Sequence, residues 1–176
     1  IAFFKKFLQE NDLSAYDEAT KKGLLRHIVV RCYDGEYLFT LVTKSGKINC
    51  VNRLIDGLIE EFGEKISVVR NINDSSSNVI LGDKSEVLYG SGFIRICEEG
   101  VKYEVGTYSF MQVNNEVKRK IYEDVVSLGD VKENTVVIDG YSGAGVMTSM
   151  LSRHAKKAYG IEIVKEASLA AEKLKK

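Results

Sequence analysis

The chain has 176 residues, enough for one ordinary domain or for a small domain and part of another. Its 44% hydrophobic and 28% charged residues are those of a globular protein, and no apolar run is long enough to cross a membrane. Its 25 basic and 25 acidic residues cancel, which argues against this segment as the main electrostatic anchor for a nucleic acid.

The opening Ile1-Ala-Phe-Phe-Lys-Lys-Phe-Leu is amphipathic and has lysines inside it, so it reads as a helix over residues 1–9, not as a signal peptide. Gly23-Leu-Leu-Arg-His-Ile-Val-Val-Arg-Cys-Tyr33 is rich in branched residues and reads as a strand. Asp34-Gly35 marks a hairpin, and Tyr37-Leu-Phe-Thr-Leu-Val-Thr43 returns antiparallel. Val51, Leu54, Ile55, Leu58, Ile59 and Phe62 recur at three- and four-residue steps and share one helical face. Ile66-Ser-Val-Val-Arg70 is a further strand, and residues 73–78 are loop by composition. Strand, strand, helix, strand makes an α+β sheet with a helix on one side.

Residues 86–106 read as a second hairpin that turns at Glu98-Glu-Gly100, with Val101, Tyr103 and Val105 alternating against Lys102 and Glu104. Val113, Val117, Ile121, Val125 and Leu128 then mark a helix capped by Asn114 or Asn115. The expected boundary lies near residue 107, dividing a central α+β domain (1–107) from the start of a second domain (108–176).

The second domain carries the chemistry. Val136-Val-Ile-Asp-Gly-Tyr-Ser-Gly-Ala-Gly-Val146 is a strand breaking into a glycine turn and a helix, and Tyr159-Gly-Ile-Glu-Ile163 is a second strand with a carboxylate at its tip. Open parallel sheets place nucleosides at such a site, where backbone approaches the ligand and an acid accepts from ribose hydroxyls. A phosphate-binding P-loop needs a lysine after the second glycine, and Gly145 is followed by Val146. The dinucleotide fingerprint needs a third glycine where Thr148 stands. Asp139 would repel a pyrophosphate but suits the ammonium of an amino-acid group. S-adenosylmethionine (SAM) has that group, a ribose for Glu162 and no phosphate. Each acid also has a plain reading, as a turn former or a solvated strand tip.

Two segments together resemble the SAM-dependent RNA uracil-C5 methyltransferases of tRNA and 23S rRNA. The family's Ser-Pro-Arg-Ser-Phe-Phe-Gln-Val-Asn stands here as Gly106-Thr-Tyr-Ser-Phe-Met-Gln-Val-Asn114, matching at Ser109, Phe110, Gln112, Val113 and Asn114, with Thr107-Tyr108 in place of Pro-Arg. Its Asp-x-Tyr/Phe-Cys-Gly-x-Gly turn stands as Asp139-Gly-Tyr-Ser-Gly-Ala-Gly145, with Ser142 for the cysteine and Val146 where Thr or Asn is usual. Gly160-Ile-Glu-Ile-Val164 and Gly23-Leu-Leu-Arg-His-Ile-Val-Val-Arg31 are similar to the family's second strand and central-domain strand. The resemblance implies a Rossmann-like methyltransferase domain, begun but truncated, in an α/β protein. It also implies SAM contacts from Gln112, Asp139, Tyr141, Gly143, Gly145, the backbone around Val146, and Glu162, with Phe110 near the target base. For Phe110 the competing reading is core packing.

In that family a cysteine thiolate attacks uracil C6, C5 takes the methyl group and a base removes the C5 proton. The resemblance places both groups beyond Lys176, and neither Cys32, Cys50 nor Cys97 matches their context. The chain is therefore expected to be an internal piece of a cytoplasmic enzyme that modifies rRNA or tRNA, with no catalytic residue of its own. An RNA-binding barrel, and in many members an iron–sulfur cluster, precede the corresponding region. The three cysteines lack metal-ligand spacing, and no metal site is expected here. A methyltransferase of another substrate, a nicotinamide-dependent oxidoreductase, and a non-catalytic RNA-binding module using Lys21-Lys22 with Arg26-His27, Lys118-Arg119-Lys120 and Arg153 with Lys156-Lys157 remain alternatives.

Overall fold

A computed structural model describes residues 1–98, 100–112 and 114–174. The chain divides into two compact units, 1–94 and 95–176. No helix among the described residues is long and apolar enough to cross a membrane.

In the first unit, α1 (Ala2–Glu10), β1 (Leu25–Tyr33), β2 (Glu36–Thr43), α2 (Val51–Phe62), β3 (Ile66–Ile72) and β4 (Lys84–Tyr89) follow in chain order. They build one sheet in the order β1-β2-β3-β4. The β1–β2 turn needs positive φ at both central residues, and Asp34 and Gly35 sit at 47° and 74°. Beyond β2 the chain crosses through α2 and returns parallel, pairing Phe39 with Val68 and Leu41 with Arg70. Leu54, Ile55 and Leu58 of α2 pack with Phe4, Phe7, Phe39, Leu41 and Val68. Each such aliphatic side chain removed from water contributes about 1.5–3 kcal/mol. The rings of Phe4 and Phe62 lie 6.0 and 5.1 Å from that of Phe39.

Residues 86–89 do not belong to the second hairpin, as their sequence suggests. They lie in β4 and pair antiparallel with β3. Two fully buried amides fasten the loop that joins these strands. Asn71 donates to the Gly82 carbonyl at 2.8 Å, and Asn73 donates to the Val79 and Ile80 carbonyls at 2.7 and 2.9 Å.

The division falls within β5 (Phe93–Glu98), which forms a hairpin with β6 (Val101–Gly106); the second unit continues through α3 (Asn115–Leu128), β7 (Val136–Gly140), α4 (Val146–Leu151), β8 (Lys157–Ile161) and α5 (Lys165–Glu172). β6 packs with α4 and α5, and the compact units part between Ile94 and Arg95, ahead of the expected boundary near residue 107. Asn114 caps α3, its side chain accepting the Val117 N–H at 3.0 Å. Val117, Ile121, Val125 and Leu128 of α3, whose spacing marks the helix, are exposed, as are Val136 and Ile138 of β7 and Ile161 of β8. Val113 lies outside the described residues.

Within this unit a buried polar cluster ties α3 to the hairpin. The Lys118 ammonium pairs with Glu98, and the Tyr103 hydroxyl donates to the same carboxylate at 2.8 Å. Burial, and then the Glu98 and Asp139 carboxylates, hold the Tyr122 phenol above its ordinary pKa.

Candidate functional site

β7 and β8 run parallel with Asp139 opposite Gly160 and Gly140 opposite Ile161, so both strands end at one edge of the sheet. The glycine turn and Glu162 leave from that edge together, the place where parallel sheets form ligand crevices. Two sites of the turn require glycine, since Gly143 and Gly145 take φ of 57° and 79°. Tyr141 also sits at positive φ, 64°, with its side chain 94% exposed. A bulky residue in this region costs on the order of 1–3 kcal/mol, and no packing of its own ring offsets that.

Glu162 holds the turn shut. Its Oε2 accepts the Gly143 N–H at 2.8 Å, and its Oε1 accepts the Val164 N–H at 2.7 Å. Those bonds, the Val164 amide first and the Gly143 amide next, hold the carboxyl below the ordinary glutamate range. A carboxylate has about four acceptor positions, more than these two bonds occupy, and the Ile163 amide also contributes to lowering the Glu162 pKa. The Ser142 N–H donates to the Ile161 carbonyl at 3.0 Å, a further tie between turn and strand.

Asp139 is anchored as well, because the Thr148 hydroxyl donates to its Oδ2 at 2.6 Å. Thr148 stands where a dinucleotide site would have its third glycine, and the room it needs comes from the opposite strand. A Cβ on Gly160 would lie 2.7 Å from the Ser142 hydroxyl and 3.0 Å from that of Thr148. Neither Gly160 nor the Asp139–Thr148 pair was singled out from sequence. The cue was the Gly before Ile161 in an otherwise apolar strand.

Val146 opens α4 with its side chain buried, leaving only its backbone to face the turn's open side. Gly145 lets α5 approach, since a Cβ there would meet that of Ala171 at 2.8 Å. Phe110 and Gln112 both precede α3 in a non-helical run and are both exposed, Phe110 at 78%, so the core-packing reading of Phe110 fails. Ser109 in the same run is buried, and its hydroxyl donates to Glu166 Oε1 at 3.1 Å. Cys32, Cys50 and Cys97 are not joined in disulfides. Among the described residues no group of three or more His, Cys, Asp or Glu is arranged to hold a metal ion.

Chemically, the site offers two anchored carboxylates at the ends of adjacent parallel strands, a glycine turn between them, and the exposed Tyr141 ring; Phe110 and Gln112 are exposed ahead of α3. It suits a ligand with hydroxyls and a positive charge.

No family model matches the chain. An uncharacterized RNA methyltransferase of Streptococcus agalactiae is 37% identical over 169 residues, which are 95% of this chain and 38% of that protein. One of Streptococcus pyogenes is 36% identical over 95% of the chain and 37% of its own length, and one of Streptococcus mutans is 35% identical over 98% and 39%. The chain thus spans less than half the length of these relatives. The structure of Pyrococcus abyssi tRNA (uracil-54, C5)-methyltransferase in complex with S-adenosyl-L-homocysteine aligns at a TM-score of 0.76 and 24% identity, covering 98% of this chain and 42% of that one. That likeness establishes a shared fold, so the α/β architecture read from the sequence is the one observed.

Proposed function

We propose that this chain is the cofactor-binding portion of an RNA methyltransferase that transfers a methyl group from SAM to C5 of uridine, with 23S rRNA as the substrate to test first. The observation that carries this is the Glu162 clamp, a carboxylate fixed by the Gly143 and Val164 amides beside the glycine turn. The similarity to streptococcal RNA methyltransferases and the fold shared with a tRNA uracil methyltransferase support it.

SAM, when bound, supplies an electrophilic methyl on a sulfonium. In this reading Glu162 accepts from the ribose hydroxyls, and the Asp139 carboxylate faces the ammonium. Gln112 offers both a donor and an acceptor to the amino-acid group. Gly143, Gly145 and the Val146 backbone let the ligand approach the turn. Tyr141, held outward at positive φ, packs on the ligand, and Phe110 presents its face to an unstacked base. The nucleophile and base for uracil chemistry are assigned to the additional length that the relatives possess, and the chain alone is expected to be inactive.

The test uses a full-length protein of the relatives' size that contains this sequence, incubated with labelled SAM and unmodified rRNA or tRNA. Methyl transfer to uridine C5, found by mass spectrometry of the digested nucleosides, is the expected result. Transfer to another base, or to a protein, would leave SAM binding standing and overturn the uridine assignment.

A further inference from the structure

Ser109 and Glu166 are far apart in sequence and form one buried-side fastening. The Gly106 N–H donates to Ser109 Oγ at 3.2 Å, and Ser109 Oγ in turn donates to Glu166 Oε1 at 3.1 Å. Ser109 is only 4% exposed, so its hydroxyl has little access to water as a substitute partner. Glu166 fits because residue 106 is glycine, since a Cβ there would fall 2.0 Å from that same Oε1. Glu166 lies in the first turn of α5, the helix that follows Glu162 and whose Ala171 rests against Gly145. One helix therefore touches both the glycine turn and the run that carries Phe110 and Gln112.

Resting on the cofactor-binding reading above, we infer that Glu166 is a positioning residue: through Ser109 it sets where Phe110 and Gln112 stand relative to the turn. It touches neither cofactor nor base. Its carboxylate fixes the loop, and the loop delivers the side chains. A free loop would have to be ordered on binding, and that ordering opposes affinity.

Hydrogen–deuterium exchange over residues 106–112 and titration with S-adenosylhomocysteine test this on the wild-type chain and on Glu166→Ala, Glu166→Gln, Ser109→Ala and Gly106→Ala. Glu166→Ala is expected to speed exchange in that run and to weaken binding about tenfold, the effect of one lost charge-assisted bond. Glu166→Gln retains an acceptor and restores both readouts. Gly106→Ala reproduces Glu166→Ala, because its methyl takes the carboxylate's place. Ser109→Ala combined with Glu166→Ala is no worse than either alone. Unchanged exchange over residues 106–112 in Glu166→Ala overturns the inference whether or not the ligand binds. So does a loss of affinity that Glu166→Gln fails to restore. Faster exchange in Glu166→Ala together with no ligand binding by the wild-type chain counts against the cofactor reading alone.

Discussion

Glu162 Oε2 accepts the backbone N–H of Gly143 at 2.8 Å, so the acid at the tip of β8 fixes the turn that follows β7. The same side chain that is proposed to read the ligand's ribose also shapes the wall beside it. Removing it should cost the site twice, once in ligand contact and once in turn geometry.

That double role has a pH signature. The folded-state pKa of Glu162 is lowered, chiefly by the Val164 amide and then by the Gly143 amide, with partial burial opposing. A lowered carboxylate contributes stability that is complete above the unfolded value, about pH 4.3, and that is lost as pH falls through the folded value. The difference in thermal midpoint between wild type and Glu162→Gln should hold steady at neutral pH and disappear in acid. A difference that persists unchanged below the folded value would refute this role.

Tyr141 should separate stability from binding. Asparagine tolerates the left-handed region better than tyrosine, and the exposed ring makes little packing to lose. Tyr141→Asn is expected to unfold at the same urea concentration or slightly higher, while its affinity for S-adenosylhomocysteine drops several-fold. A variant that binds as wild type would remove Tyr141 from the site.

Gly160 makes room for Ser142 and Thr148, so Gly160→Ala forces a methyl against two hydroxyls. Overpacking of this kind costs about 1–3 kcal/mol. Chemical denaturation should show the loss, and Thr148→Ala in the same chain should relieve part of it.

The ion pair of Lys118 and Glu98 has side chains only 6% and 13% exposed. Leaving one such charge without its partner costs about 3–5 kcal/mol, whereas replacing both by apolar groups is milder. Lys118→Met is expected to unfold at clearly lower urea than Lys118→Met combined with Glu98→Leu. Equal midpoints would show that the pair is solvated in solution.

Much of this was legible in the sequence because the signals are local. Asp34-Gly35 specifies its hairpin through backbone torsion, and the spacing of Leu54, Ile55 and Leu58 specifies the buried face of α2. The strand–turn–helix around Asp139 and the cap at Asn114 also follow from residues close in the chain. What escaped depends on distant partners. β4 begins with exposed Lys84, Ser85 and Glu86, so it shows no apolar alternation, and only its pairing with β3 makes it a strand. The exposed face of α3 carries a packed-helix pattern, and periodicity reports that a face is apolar without reporting what covers it. Ser109–Glu166 and Thr148–Gly160 join residues whose types are unremarkable alone, and geometry alone reveals them.

The central claim is that a nucleoside sulfonium sits between the glycine turn and Glu162. Isothermal titration of the chain with S-adenosylhomocysteine, alongside Glu162→Ala checked for folding by circular dichroism, tests it most directly. We predict saturable one-to-one binding by the wild type and at least about tenfold weaker binding by the folded variant, the effect of losing hydrogen bonds to a charged group. Equal affinities in the two proteins, or no binding by the folded wild type, would contradict it.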